Sequence, residues 1–131
     1  MNKFWGVALD KFVLDRQISE AIGAHAMWRT TLREAAQTGA LPKPAHKIGC
    51  DDDCPFGKWL HSLERDPNVI QTQAYKRVVQ KHALFHSFAG EVATHVEQGD
   101  TKTAAAKLST NFIAGRSYAL LDAMMMWQEA I

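Results

Sequence analysis

Two histidines four residues apart, His82 and His86, occur in a segment whose apolar residues recur every three or four positions. On a helix this spacing puts both side chains on one face, about 6 Å apart, and here that face is the apolar one. Imidazole nitrogens without partners are costly in an apolar core. The pair therefore needs either hydrogen-bond partners or a metal ion, and its spacing alone fits both.

Two further residues offer metal donors to the same core. His25 lies on the apolar face of a predicted helix, between Ile22 and Leu32. Cys54 precedes Pro55 at the start of a short apolar segment, where the free N–H groups of a helix N-terminus favour a metal-binding thiolate. Three imidazoles and one thiolate suit Zn²⁺, which takes nitrogen and sulfur donors in a tetrahedron. The alternative is that the cysteine is a small buried hydrophobe and the histidines are scattered helix residues.

The elements that must position these donors are predicted to be helices. All four prolines lie between residues 42 and 67, so the flanking segments are free to form long helices. Apolar spacing predicts helices over about residues 9–37, 69–97 and 101–131, a short helix over 54–63, and a loop over 39–53. We therefore expect an all-α fold, a four-helix bundle with an additional short helix that carries Cys54.

The same residues carry a family resemblance. The stretches His25-x-x-Trp28-x-x-x-Leu32, Cys54-Pro-Phe56-Gly57-Lys58-Trp59-Leu60 and His82-x-x-Phe85-His86 resemble the chemoreceptor zinc-binding (CZB) family over about residues 14–127. The resemblance implies one Zn²⁺ per chain, bound by His25, Cys54, His82 and His86. It also implies a regulatory domain of bacterial signalling, in chemoreceptor or cyclic-di-GMP pathways, with the metal or the cysteine as its input. Such domains commonly dimerise and accompany a receptor signalling domain or a diguanylate cyclase.

Two other metal-dependent functions agree less well with the sequence. A zinc enzyme needs an open coordination position and a nearby base, and no glutamate adjoins His82 and His86 as in a His-Glu-x-x-His motif. A haemerythrin-like di-iron oxygen carrier needs bridging carboxylates and more inward-facing histidines than the helices provide. We therefore expect a protein that is not an enzyme.

Charge and hydropathy limit the partners. The 15 basic and 14 acidic residues are interspersed, so no basic stripe marks a nucleic-acid surface. The apolar runs are too short for a membrane span or a secretory signal, which predicts no membrane partner and a cytoplasmic location. A length of 131 residues fits a single domain over residues 1–131.

Other residues near the predicted site are expected to have lesser roles. Cys50 is interpreted as a loop thiol without a role, with an alternative ligand or a resolving thiol as the other possibilities. His46, His61 and His95 are expected at the surface or partly buried. The aspartates at 51–53 are expected to be solvated, or to accept a hydrogen bond from a ligand imidazole.

Packing is the expected role of the large apolar residues outside the donor set. Trp59 is expected to pack beside the site, and Gly57 to let backbone approach a neighbouring helix. Several large residues near the chain ends exceed what one small bundle covers, which predicts a homodimer interface. They are Phe4, Trp5, Phe12, Met124, Met125 and Trp127.

Overall fold

The computed structural model describes residues 11–109 and 111–131, without the side chains of 111–114. Its helices are α1 (Lys11–Thr38), α2 (Ala45–Ile48), α3 (Pro55–Ser62), α4 (Pro67–Ile70), α5 (Gln73–Glu97), α6 (Thr101–Ser109) and α7 (Asn111–Ala130). No strand occurs in these two ranges, which confirms the all-α prediction. The interface predictions for Phe4 and Trp5 fall outside the described residues. Within them, no helix combines the length and apolar character that a membrane span requires.

Three long helices form the core of the bundle. Helix α7 packs against α1 and α5, and α6 packs against the same two helices. Their facing positions are fully buried at Ile18, Leu32, Phe85 and Leu120. Burial of each such side chain stabilises the fold by about 1.5–3 kcal/mol, so the periodic apolar faces account for the arrangement of the long helices.

Helix boundaries follow local capping chemistry and differ from the sequence-based bounds in several places. The single helix predicted over residues 101–131 is wrong, because the described residues there form two helices, α6 and α7. Helix α5 begins at Gln73 instead of residue 69, because the Thr72 hydroxyl accepts the Tyr75 N–H at 3.3 Å and caps the helix. Residues 67–70 form the separate turn α4. The Asp100 carboxylate accepts the Thr103 N–H at 3.1 Å and caps α6.

The predicted loop over residues 39–53 is wrong in part, because it contains helix α2. Ala45 and Ile48 are buried, and the Ala45 N–H donates to the Glu97 carboxylate of α5 at 2.8 Å. Gly49 and Gly90 allow the two backbones to approach: a Cβ atom on Gly90 would lie 2.5 Å from the Gly49 Cα. Glycine and proline near residues 39–49 suggested a loop, but the contact with α5 orders the segment.

We expect Gly90→Ala to destabilise the protein by about 1–3 kcal/mol, because the added methyl group must push α2 away from α5. Gly23→Ala is the matched control, since Gly23 is exposed within α1 and a Cβ atom there would meet nothing within 4 Å. That control should gain about 0.5–1 kcal/mol of stability from its better helix propensity. Urea denaturation followed by circular dichroism measures both, and equal effects of the two substitutions would contradict the packing argument.

Candidate metal centre

Four buried side chains from three elements meet in the core. His25 lies in α1, His82 and His86 lie one turn apart in α5, and Cys54 is the N-cap residue of α3. The exposed fraction of each residue is at most 7%. Their donor atoms all lie within 4.8 Å of one another. The tertiary structure thus brings together all four donors that the sequence singled out.

The spacing of these atoms fits a tetrahedral ion. The Nε2 atom of His25 lies 3.1 Å from that of His82 and 3.3 Å from that of His86. The Cys54 sulfur lies 4.0, 3.4 and 3.6 Å from the Nε2 atoms of His25, His82 and His86. A tetrahedral zinc ion with bonds of about 2.0–2.3 Å requires donors roughly 3.3–3.6 Å apart. The five distances, 3.1–4.0 Å, bracket this range, so the cluster has approximately the dimensions of a zinc site.

Backbone carbonyl groups set the proton positions on two of the rings. The Nδ1 atom of His25 donates to the Ala21 carbonyl at 2.8 Å, and that of His86 donates to the Ile48 carbonyl at 2.8 Å. Because a carbonyl can only accept, each ring carries its proton on Nδ1, and its Nε2 atom presents a bare lone pair. These two lone pairs face each other at 3.3 Å and cannot hydrogen-bond to one another. A cation between them satisfies both.

Burial fixes the protonation of the cluster at neutral pH. Loss of solvation lowers the pKa of His25 to about 4 and the pKa of His82 to about 2, and it also lowers the pKa of His86. Loss of solvation raises the pKa of the Cys54 thiol, and the Gly57 N–H at 3.2 Å opposes this only in part. The zinc-free cluster at pH 7 is therefore three neutral imidazoles and a thiol.

The aspartates at 51–53 do not support the ligand imidazoles, so that alternative is wrong. Asp53 pairs with Lys43 at 2.9 Å, and the Asp51 carboxylate lies 3.6 Å from His61 Nε2. The carbonyl groups of Ala21 and Ile48 accept the hydrogen bonds from the His25 and His86 rings instead. Ala21 lies one helical turn before His25, a spacing visible in the sequence, whereas the contact of Ile48 with α5 is tertiary.

The remaining cysteine and histidines lie outside the donor cluster. Cys50 is exposed, and its thiol donates to the His46 carbonyl at 3.1 Å. His46 is exposed, while His61 and His95 are partly buried, as expected from the sequence. None of these residues belongs to the group whose donor atoms lie close enough to share an ion.

Aromatic side chains join the centre to α7. The Phe56 ring lies edge-on to His82, with ring centroids 5.3 Å apart, and Trp59 packs against both Phe56 and Trp127. Trp127 and Met124 are thus buried within one chain, which corrects their assignment to an interface. Phe12 and Met125 are exposed, as that assignment requires.

Gly57 has a different neighbour from the one expected. A Cβ atom on Gly57 would overlap the carbonyl oxygen of Asp51, so the close approach is to the aspartate turn and not to a neighbouring helix. Any side chain there would push the turn and the first residues of α3 apart. Gly57 therefore keeps the Cys50–Cys54 turn seated on the helix that Cys54 begins.

Comparisons with known proteins agree with this geometry. The model of the chemoreceptor zinc-binding domain matches residues 25–93, more than half of the chain, and this range includes all four donors. The comparison with curated proteins gave no match, and neither did the comparison with solved structures. The chain therefore belongs to the chemoreceptor zinc-binding domain family, and its His/Cys/His/His cluster fits one zinc ion.

Proposed function

We propose that this chain is a single regulatory domain in which His25, Cys54, His82 and His86 bind one structural and signalling Zn²⁺. The observation that carries the proposal is the meeting of four buried donor atoms within 4.8 Å of one another, including two bare Nε2 lone pairs 3.3 Å apart that cannot hydrogen-bond to each other. A single cation would satisfy them together. Replacement of single donors tests it: Cys54→Ala should weaken zinc binding strongly, and the matched control Cys50→Ala should leave it unchanged.

Regulation is a better account of this cluster than catalysis. Four protein donors complete a tetrahedral shell, whereas catalytic zinc keeps one position for water or substrate. The rings of Phe56 and Phe85 pack against His25 at centroid distances of 5.9 and 5.5 Å. These apolar neighbours offer no general base, so we propose that the domain is not an enzyme.

The proposed signal is zinc occupancy or the chemical state of the Cys54 sulfur. Cys54 ties the short helix α3 to α1 and α5, so its release from the ion changes how these elements pack. The output would pass to a chemoreceptor signalling domain or a diguanylate cyclase. A reducing compartment keeps the thiolate available, which favours the cytoplasm.

Zinc binding at pH 7 should release about one proton, because Cys54 enters the site as a thiol while the imidazoles are already neutral. Between pH 7 and 8 the affinity for zinc should rise about tenfold per pH unit, a slope of one proton. Titration calorimetry in buffers of different ionisation enthalpy measures the release. The Cys50→Ala variant should release the same number, and a release of three or four protons would show that the histidines are charged before zinc binds.

We further propose a homodimer, since large apolar side chains remain exposed on helices α1 and α7. Phe12 is 81% exposed and Met125 is 52% exposed. Light scattering should give about twice the chain mass of 14.6 kDa at micromolar concentration. The double variant Phe12→Lys/Met125→Lys should shift the mass toward one chain, with Lys76→Glu on α5 as the control. A wild-type mass of one chain would contradict the dimer.

A further inference from the structure

A cleft with a volume of about 350 Å³ lies between α1 and the start of α3. Its walls are mainly apolar, with Ala21 and Trp28 on one side and Pro55 and Phe56 on the other. His25 and Cys54 also line the cleft, so it extends to the metal centre. A volume of this size admits molecules of several non-hydrogen atoms.

Cys54, which lines the cleft, is the most solvent-exposed of the four donor residues. Cys54 is 7% exposed, whereas His82 is fully buried and His86 nearly so. Neither His82 nor His86 lines the cleft. A small molecule that reaches the centre through the described part of the fold therefore meets the Cys54 sulfur and the edge of His25 first.

An ion pair lies at the mouth of the cleft. The Lys43 ammonium, which also lines the cleft, is 2.9 Å from the Asp53 carboxylate and 5.8 Å from the centroid of the Trp28 ring. The two side chains are 31% and 29% exposed, so water screens their charges only in part. The pair itself contributes no net charge, whereas Glu20, which also lines the cleft, adds a negative charge. Loss of Asp53 would therefore make the approach to Cys54 more positive, and loss of Lys43 would make it more negative.

We propose that this cleft is the route by which small molecules reach the Cys54 sulfur, and that the Lys43–Asp53 ion pair sets which charge is admitted. The inference deepens the proposed function, because it rests on the Cys54 sulfur being the group whose chemical state matters. Neutral molecules enter by contact with the apolar side chains of the cleft walls. Anions and cations enter according to the balance between Lys43 and Asp53, against the constant negative charge of Glu20.

Alkylation with two reagents of similar size tests the route. Iodoacetamide is neutral and iodoacetate is an anion, and in both cases the thiolate sulfur displaces iodide and forms an S–C bond. Both reagents attack the same thiolate, so a change in its pKa cancels in the ratio of the two rates. The full chain with Cys50→Ala leaves Cys54 as the only thiol, and mass spectrometry follows its modification with and without zinc.

Four variants are compared in the Cys50→Ala background, and the quantity measured is the ratio of the iodoacetate rate to the iodoacetamide rate. Asp53→Asn leaves an unpaired cation and should raise the ratio at least about threefold. Lys43→Met keeps the apolar stem, leaves an unpaired anion and should lower the ratio by a similar factor. The double variant should return to the unsubstituted value. Lys47→Met, an exposed lysine in the same segment that does not line the cleft, should leave the ratio unchanged.

Three results would overturn the proposal. They are a ratio insensitive to Lys43→Met and Asp53→Asn, a Lys47→Met effect equal to that of Lys43→Met, and no alkylation of Cys54 by either reagent in the folded protein. A ratio equal to that of the exposed Cys50 thiol in the Cys54→Ala protein would also overturn it, because Cys54 would then react only after local opening and not through the cleft. The measurement on zinc-free protein does not depend on which residues bind zinc, so failure of the ligand assignment would be seen separately, in the zinc stoichiometry.

Discussion

Cys54→Ala protein should bind zinc about two to four orders of magnitude more weakly than the unsubstituted chain, and Cys50→Ala protein should bind it normally. Cys54 contributes the only thiolate of the cluster, with its sulfur 3.4–4.0 Å from three Nε2 atoms. Cys50 is exposed and its thiol contacts the His46 carbonyl instead. The two variants lose the same atoms, so the difference between them isolates the site.

Histidine variants extend the comparison to the nitrogen donors. His82→Ala should lose zinc as Cys54→Ala does, because its Nε2 atom lies 3.1 Å from that of His25. His95→Ala is the control from the same helix, since His95 is partly buried and lies outside the cluster. Elemental analysis gives zinc per chain, and competition with a chromophoric chelator gives the affinity.

A spectroscopic measurement distinguishes the loss of a metal ligand from poor folding of a variant. Cobalt(II) in place of zinc should give a sulfur-to-cobalt charge-transfer band in the unsubstituted protein and in Cys50→Ala. The band should be absent from Cys54→Ser, while the circular dichroism of that variant remains helical. Normal zinc stoichiometry and affinity in the Cys54→Ala protein would show that Cys54 is not a zinc ligand.

Removal of zinc, or oxidation of Cys54, should increase amide exchange mainly between residues 40 and 65, with α5 and α7 largely protected. Helix α3 is short, and its contacts with the bundle depend on Cys54, Phe56 and Leu60. Helices α1, α5 and α7 bury long apolar faces against one another and do not need the ion. A sulfenic acid is a poorer zinc donor than a thiolate, so both treatments should act on the same segment.

The structure sharpens this prediction within the segment. Helix α2 has anchors of its own, the buried Ile48 side chain and the contact from Ala45 to Glu97, so it should remain better protected than residues 51–62. Peroxide should change exchange equally in the unsubstituted and Cys50→Ala proteins and should have no effect on zinc-free Cys54→Ser. Uniform loss of protection across the chain would instead identify zinc as a cofactor for global folding.

The sequence by itself determined the long helical segments and the four candidate donors. Apolar residues three and four apart define one face of a helix, and the four-residue spacing of His82 and His86 puts both rings on that face. Pro55 suits the first turn of a helix and so marks Cys54 as its N-cap. These are local properties of the chain, which is why they could be derived without a structure and why the all-α fold was predicted correctly.

Only the tertiary structure decided how the donors are held. Helix α2 forms because Gly49 and Gly90 let it approach α5, and the same contact brings the Ile48 carbonyl to His86 Nδ1. A backbone carbonyl is present at every residue, so the sequence carries no sign of a tertiary partner such as the Ile48 carbonyl, unlike the Ala21 carbonyl one turn before His25. The burial of Trp127 within one chain likewise depends on its contact with Trp59, far away in sequence. Residue types and spacing fix which groups share a helix face, but the approach of separate helices fixes the partner of each group.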